Sequence, residues 1–142
     1  MQTKTETHQT EVLRPLNVLI VDDDQDYLDS MKIQLEARGH HVVTACSDGE
    51  AAKRLEESPP DIALVDLMLE TEDSGFTLCH HLKRRQPEMP IIMISGVQSE
   101  TGFDFDAATV EERSWIKADA FLNKPVRLEQ LEREMRRLLR RE

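Results

Sequence analysis

The sequence predicts an α/β fold, a five-stranded parallel sheet with helices on both faces. Three observations carry this. Short β-branched, near-continuous apolar runs alternate with segments of helical periodicity. Each run is apolar on successive residues, as a strand buried on both faces requires. Several runs stop abruptly at a charged or hydroxyl residue, the end at which such sheets bind ligands.

The elements follow in order. Residues 1–15 are rich in Thr, Gln and Glu and are expected to form a flexible tail before a domain spanning 16–142. Asn17-Val18-Leu19-Ile20-Val21 is the first strand, ending at Asp22-Asp23-Asp24. A helix follows, with Tyr27, Leu28, Met31, Leu35 and Ala37 at helical spacing and Gly39 as its terminator. His41–Ala45 is the second strand. Glu50–Glu57 is a helix stopped by Ser58-Pro59-Pro60. Ile62–Val65 is the third strand, ending at Asp66, and Phe76–Arg85 is a helix with Pro87 beyond it. Ile91–Ile94 is the fourth strand, ending at Ser95-Gly96. Residues 97–119 read as a long loop followed by a short or irregular helix. Ala120–Leu122 is the fifth strand, ending at Asn123-Lys124-Pro125. A last helix runs from Arg127, with Leu128, Leu131, Met135 and Leu138 on one stripe.

Composition narrows the function. The net charge is −10, and residues 127–142 carry six Arg against four Glu, which leaves −12 on the residues before them. That argues against direct nucleic-acid binding. The Arg-rich end is expected to balance its helix through pairs such as Glu129–Arg133 and Glu132–Arg136. No apolar run is long enough for membrane insertion, and the polar N-terminus is no secretory signal. Two cysteines without a CxxC, Cys46 and Cys79, point to free thiols in a reducing cytoplasm, with Cys79 on the core face of its helix. His40-His41 and His80-His81 are expected at the solvated surface, since sequence neighbours on a helix do not face one another and nothing completes a zinc site.

The strand ends hold the chemistry. In a doubly wound sheet Asp22, Asp23, Asp66, Ser95 and Lys124 converge on one edge. Carboxylates a few ångströms apart repel by about 4 kcal/mol per pair at a surface-like dielectric, so they need counter-charge. Lys124 supplies one unit, and a hard divalent cation such as Mg²⁺ would supply two more. The remaining hydroxyl and ammonium suit phosphoryl oxygens, and the set suggests an aspartate nucleophile. No GxxxxGK[ST] or GxGxxG is present to cradle a nucleotide. Asp24 reads as a helix cap rather than a ligand.

Four segments together resemble the response-regulator receiver domain of two-component signalling. They are Val18-Leu19-Ile20-Val21-Asp22-Asp23-Asp24, Asp61-Ile62-Ala63-Leu64-Val65-Asp66-Leu67-Met68-Leu69, Pro90-Ile91-Ile92-Met93-Ile94-Ser95-Gly96 and Phe121-Leu122-Asn123-Lys124-Pro125. The resemblance covers about residues 16–141. It implies a flavodoxin-like doubly wound sheet of strand order 2-1-3-4-5. It implies that Asp66 is the phosphoacceptor, and that Asp22, Asp23, Asp66 and the backbone carbonyl of Met68 hold Mg²⁺ or Mn²⁺. Ser95 and Lys124 would bind the phosphoryl group, Ser95 and Phe121 would switch with it, and a cis peptide would precede Pro125. The phosphodonor would be a sensor histidine kinase. The output would be a downstream target protein or a histidine phosphotransfer protein, with homodimer formation as a further route. No turnover of a separate substrate is expected.

The sequence departs from the family pattern in places. Glu70 stands where a Pro is frequent, Gly96 where Ala is frequent, and the Ser95–Lys124 interval is longer than typical. Met68 and Val97, apolar at positions that tune loss of the phosphoryl group, imply a comparatively long-lived phosphorylated form. Two rivals stand beside this reading, a phosphorylation-independent receiver-like binding module and a receiver excised from a larger protein. A small phosphatase with an aspartyl intermediate is disfavoured, because position 68 is Met rather than an acidic group.

Overall fold

The computed structural model describes residues 14–67, 74–95 and 117–139. Of the expected tail it describes only Arg14 and Pro15, both exposed. Met68, Val97, Trp115 and most of the 97–119 interval lie outside the described residues.

Five parallel strands form one sheet in the order β2-β1-β3-β4-β5. They are β1 (Asn17–Val21), β2 (His41–Ala45), β3 (Ile62–Asp66), β4 (Ile91–Ser95) and β5 (Ala120–Asn123). The described helices are α1 (Gln25–Ala37), α2 (Asp48–Glu57), α3 (Ser74–Arg85) and α4 (Leu128–Leu139). Strand alternation sorts the core into two layers. Val18 and Ile20 of β1, Ile62 and Leu64 of β3, and Ile92 and Ile94 of β4 face Leu28, Met31 and Leu35 of α1 and Leu131, Met135 and Leu138 of α4. Leu19, Val21, Ala63, Val65, Ile91 and Met93 face Ala51 and Leu55 of α2 and Leu78, Cys79 and Leu82 of α3. Every residue of β3 and β4 is buried. With both faces covered, no alternation of polar residues survives in the central strands, which is why they read as apolar runs.

The helix ends are chemically specified. The Asp24 carboxylate caps α1, accepting the N–H groups of Asp26 and Tyr27. At its other end Gly39 has φ 96°, a left-handed conformation that side-chain-bearing residues rarely adopt. The Gly39 N–H donates to the Glu36 carbonyl and the His40 N–H to that of Leu35, a Schellman closure. Helix α2 begins two residues earlier than its periodicity indicates. Ser47 is its cap, with Oγ accepting from Glu50 N, while Glu50 Oε1 accepts from Cys46 N. The Ser47-x-x-Glu50 spacing is the capping-box signature.

Two expectations are corrected. His40 is not solvated: it is buried, its Nδ1 accepts the Leu16 N–H at 3.2 Å, and its Nε2 lies 3.5 Å from Glu132 Oε2. The orphan N–H of Leu16 at the sheet margin draws the ring inward. Glu132 accordingly turns to His40 and Arg38, not to Arg136, and the ion pair within α4 is Glu134–Arg137. His41 and His81 are exposed as expected, His81 facing Asp48 at 3.1 Å.

Candidate functional site

The parallel ladder continues one residue past several strand ends. Asp22 N donates to Ala45 O, Leu67 N to Ile94 O, and Lys124 N to Ser95 O. Asp66 pairs with Ile94 across β3 and β4, and Ser95 with Asn123 across β4 and β5. These bonds bring the carboxyl ends of β1, β3, β4 and β5 to one edge of the sheet. The sequence-predicted residues Asp22, Asp23, Asp66, Ser95 and Lys124 come with them.

One carboxylate oxygen from each of Asp22, Asp23 and Asp66 lies within 4.8 Å of the other two. Asp22 and Asp66 are buried and Asp23 is exposed. Lys124 Nζ donates to Asp22 Oδ2 at 3.1 Å and lies 3.8 Å from Asp66 Oδ1. Asp22 Oδ1 accepts the Asp24 N–H at 2.9 Å, so both oxygens of Asp22 are engaged. Burial nevertheless holds the Asp22 carboxyl above its ordinary range, with Asp23 adding to the shift. The Asp24 N–H and Lys124 oppose it without cancelling it. Among the described residues three carboxylates face one ammonium, and the deficit of positive charge favours a divalent cation with oxygen ligands. The donor set fits Mg²⁺ or Mn²⁺. The fourth expected ligand, the Met68 carbonyl, lies outside the described residues.

Ser95 Oγ is buried and has no hydrogen-bond partner among the described residues. A buried hydroxyl left so is costly unless an incoming group uses it. Phe121 is half-buried against the layer under α2 and α3, opposite Met93. The Lys124–Pro125 peptide is cis, as expected.

The structure adds two residues that sequence reading passed over. The Lys124 ammonium stands 4.3 Å from the centroid of the Tyr27 ring. Burial, then the Asp22 and Asp66 charges, push the Tyr27 phenol up to about 12. Gly75, at the start of α3, lies against the end of β3. A Cβ there would stand 2.5 Å from the Asp66 carbonyl oxygen and 2.6 Å from that of Leu67. Tyr27 was read only as a core position. Gly75 had a visible signal, a glycine at the start of the helix that follows the strand ending in Asp66.

The family profile described as response regulator receiver domain matches residues 18–136. The chain belongs to the response-regulator receiver family. This receiver is 30% identical over 124 residues to the alkaline phosphatase synthesis transcriptional regulatory protein PhoP of Bacillus subtilis, covering 87% of this chain and 48% of that protein. It is 33% identical over 130 residues to the DNA-binding dual master transcriptional regulator RpaA of Synechocystis, covering 87% and 49%. The receiver chain thus spans about half the length of the curated relatives it matches. Among solved structures it is similar to a CheY-like receiver domain protein from Methanospirillum hungatei, with TM-score 0.72 and 30% identity over 89% of this chain and 95% of that one. The receiver domain of NtrX from Brucella abortus gives TM-score 0.72 and 28% identity over 88% and 99%. Among the described residues of the receiver, no helix is long and apolar enough to cross a membrane.

Proposed function

We propose that this receiver accepts a phosphoryl group on Asp66 from the phosphohistidine of a sensor histidine kinase. The observation that carries the reading is the buried Asp66 carboxylate with an ammonium 3.8 Å away and two further carboxylates in the same cluster. An Asp66 oxygen attacks phosphorus, the P–N bond breaks, and its electron pair returns to the donor imidazole. Asp22 and Asp23, with Asp66, would hold Mg²⁺ or Mn²⁺. The ion, when bound, supplies positive charge to the transferring phosphoryl oxygens. Lys124 faces the same oxygens and replaces its contact to Asp66 with one to the phosphoryl group. The buried Ser95 hydroxyl donates to a second oxygen once the group is attached. Phe121, on the strand beside Ser95, follows that change and alters the surface that partners meet.

The output is a protein–protein surface read by a downstream target, or onward transfer to a histidine phosphotransfer protein. The residues 16–142 act as one receiver domain in the cytoplasm, with no separate substrate turned over. A receiver excised from a larger protein would carry out the same chemistry.

The test is intact mass after incubation with acetyl phosphate and Mg²⁺, beside an Asp66→Asn control. One Mg²⁺-dependent phosphoryl adduct, absent from the control, supports the reading. No adduct and no beryllofluoride binding would overturn it in favour of a phosphorylation-independent binding module.

A further inference from the structure

Lys124 brings the longest and most rotatable side chain to the cluster. Its ammonium rides on a four-carbon stem with three rotatable donors, and two carboxylates alone leave it a choice of positions. Its ammonium reaches Asp22 at 3.1 Å and Asp66 at 3.8 Å. The third contact is aromatic. The Tyr27 ring centroid lies 4.3 Å from Nζ, well inside the ~6 Å reach of a cation–π interaction.

The ring is itself well anchored. Tyr27 occupies the first turn of α1, and its N–H is one of two that the Asp24 carboxylate accepts. The loop that carries Asp22 and Asp23 therefore also sets the root of the ring. The ring packs against the core layer formed by α1, α4 and the sheet. The Tyr27 hydroxyl, by contrast, is buried with no hydrogen-bond partner among the described residues.

We propose that Tyr27 is a positioning residue of the phosphoacceptor site, whose ring rather than hydroxyl holds the Lys124 ammonium at the Asp22–Asp66 edge. This rests on the reading of Asp66 as phosphoacceptor. The ring narrows the lysine's choice of rotamers before the phosphoryl group arrives, so less ordering is left to the transfer step. A cation–π contact of the usual strength corresponds to about a 3- to 30-fold change in rate if it is fully expressed there.

The experiment uses the full chain with Tyr27→Phe, Tyr27→Leu and Tyr27→Met. Two quantities are read, the initial rate of phosphorylation by acetyl phosphate at fixed Mg²⁺, and the Lys124 Cε proton shift in lysine-labelled protein. The wild type should show an upfield, ring-shifted Lys124 signal. Tyr27→Phe should keep that shift and stay within about twofold of the wild-type rate. Tyr27→Leu and Tyr27→Met should lose the shift and label about 3- to 30-fold more slowly while remaining folded. Met fills the volume without a ring, so it serves if Leu fails to fold. The proposal is overturned if either aliphatic variant labels at the wild-type rate. It is equally overturned if Phe is as slow as Leu, or if the wild-type lysine signal is unshifted. A wild type that takes no phosphoryl group and binds no beryllofluoride but shows the shifted lysine would sink the phosphoacceptor reading alone and leave the Tyr27–Lys124 contact standing.

Discussion

Replacing Gly75 with Ala tests how tightly α3 is seated on the end of β3. A Cβ at Gly75 would stand 2.5 Å from the Asp66 carbonyl oxygen, 2.6 Å from the Leu67 carbonyl oxygen and 2.7 Å from Leu67 Cα. All three neighbours are backbone. They cannot swing aside, because Leu67 N is tied to Ile94 O at 2.8 Å and Gly75 N to Leu67 O at 3.0 Å. Either α3 withdraws or the strand end carrying Asp66 moves. Alanine gains about 0.8–1 kcal/mol of helix propensity over glycine. Overpacking costs about 1–3 kcal/mol, and loss of the Gly75–Leu67 hydrogen bond about 1 kcal/mol more. The net expectation is destabilisation by about 1–3 kcal/mol. With a urea slope of ~1–3 kcal/mol/M for a small protein, the midpoint falls by about 1 M at unchanged slope. Gly49, at the start of α2, is the control, because a Cβ there meets nothing within 4 Å. Gly49→Ala should leave stability unchanged or raise it by up to about 1 kcal/mol. The Gly75→Ala protein that does fold should also label more slowly at Asp66. A Gly75→Ala midpoint at or above wild type, or equal losses from both substitutions, would refute the packing argument.

Three further outcomes are expected. Because burial raises the Asp22 carboxyl, the folded chain binds that proton more tightly than the unfolded one, so Asp22 contributes a loss of stability as pH rises from its ordinary 3.8 through its raised value. Thermal unfolding in EDTA should then show Asp22→Asn gaining on wild type as pH climbs through that window, and Mg²⁺ should stabilise wild type more than the variant; a pH-independent difference would count against it. The Cys79 thiol, fully buried and pushed up to about 12, should resist iodoacetamide until the chain unfolds, whereas the half-buried Cys46 takes one adduct by intact mass. His40→Ala should cost about 1–3 kcal/mol in urea titrations by stranding the Leu16 N–H, and a loss under about 0.5 kcal/mol would show that the bond contributes little.

Much of this was legible in the sequence, for identifiable reasons. A parallel sheet covered on both faces writes itself as apolar runs, so β1, β3 and β4 could be placed closely. The site was legible because carboxylates, a hydroxyl and a lysine each terminated a strand, where chain direction alone sends them to one edge. What stayed hidden depends on three dimensions. His40 looked like half of a solvated pair, since nothing local shows that Leu16 needs an acceptor 24 residues away. Glu132 had helical neighbours of opposite charge, but Arg38 and His40 reach it from the far end of α1. Tyr27 fitted the apolar stripe of α1, and only the return of the chain through β5 puts an ammonium over its ring. The start of α2 was readable from Ser47 and Glu50, and periodicity alone overlooked it.

The Lys124–Asp22 contact spans 102 residues of chain. Its partners sit on strands that meet only through β3 and β4. Competence for chemistry is therefore a certificate of completed folding. A ribosome-bound chain that has emerged only as far as Asp66 carries all three acids and none of the neutralising ammonium. A misfolded chain with β5 undocked is in the same position. On the proposed phosphoacceptor reading, neither would offer a phosphodonor the charge balance that transfer requires, so a damaged or unfinished copy would stay silent instead of sending a false signal. The long closure slows assembly, and in return it makes the signalling centre its own quality inspector.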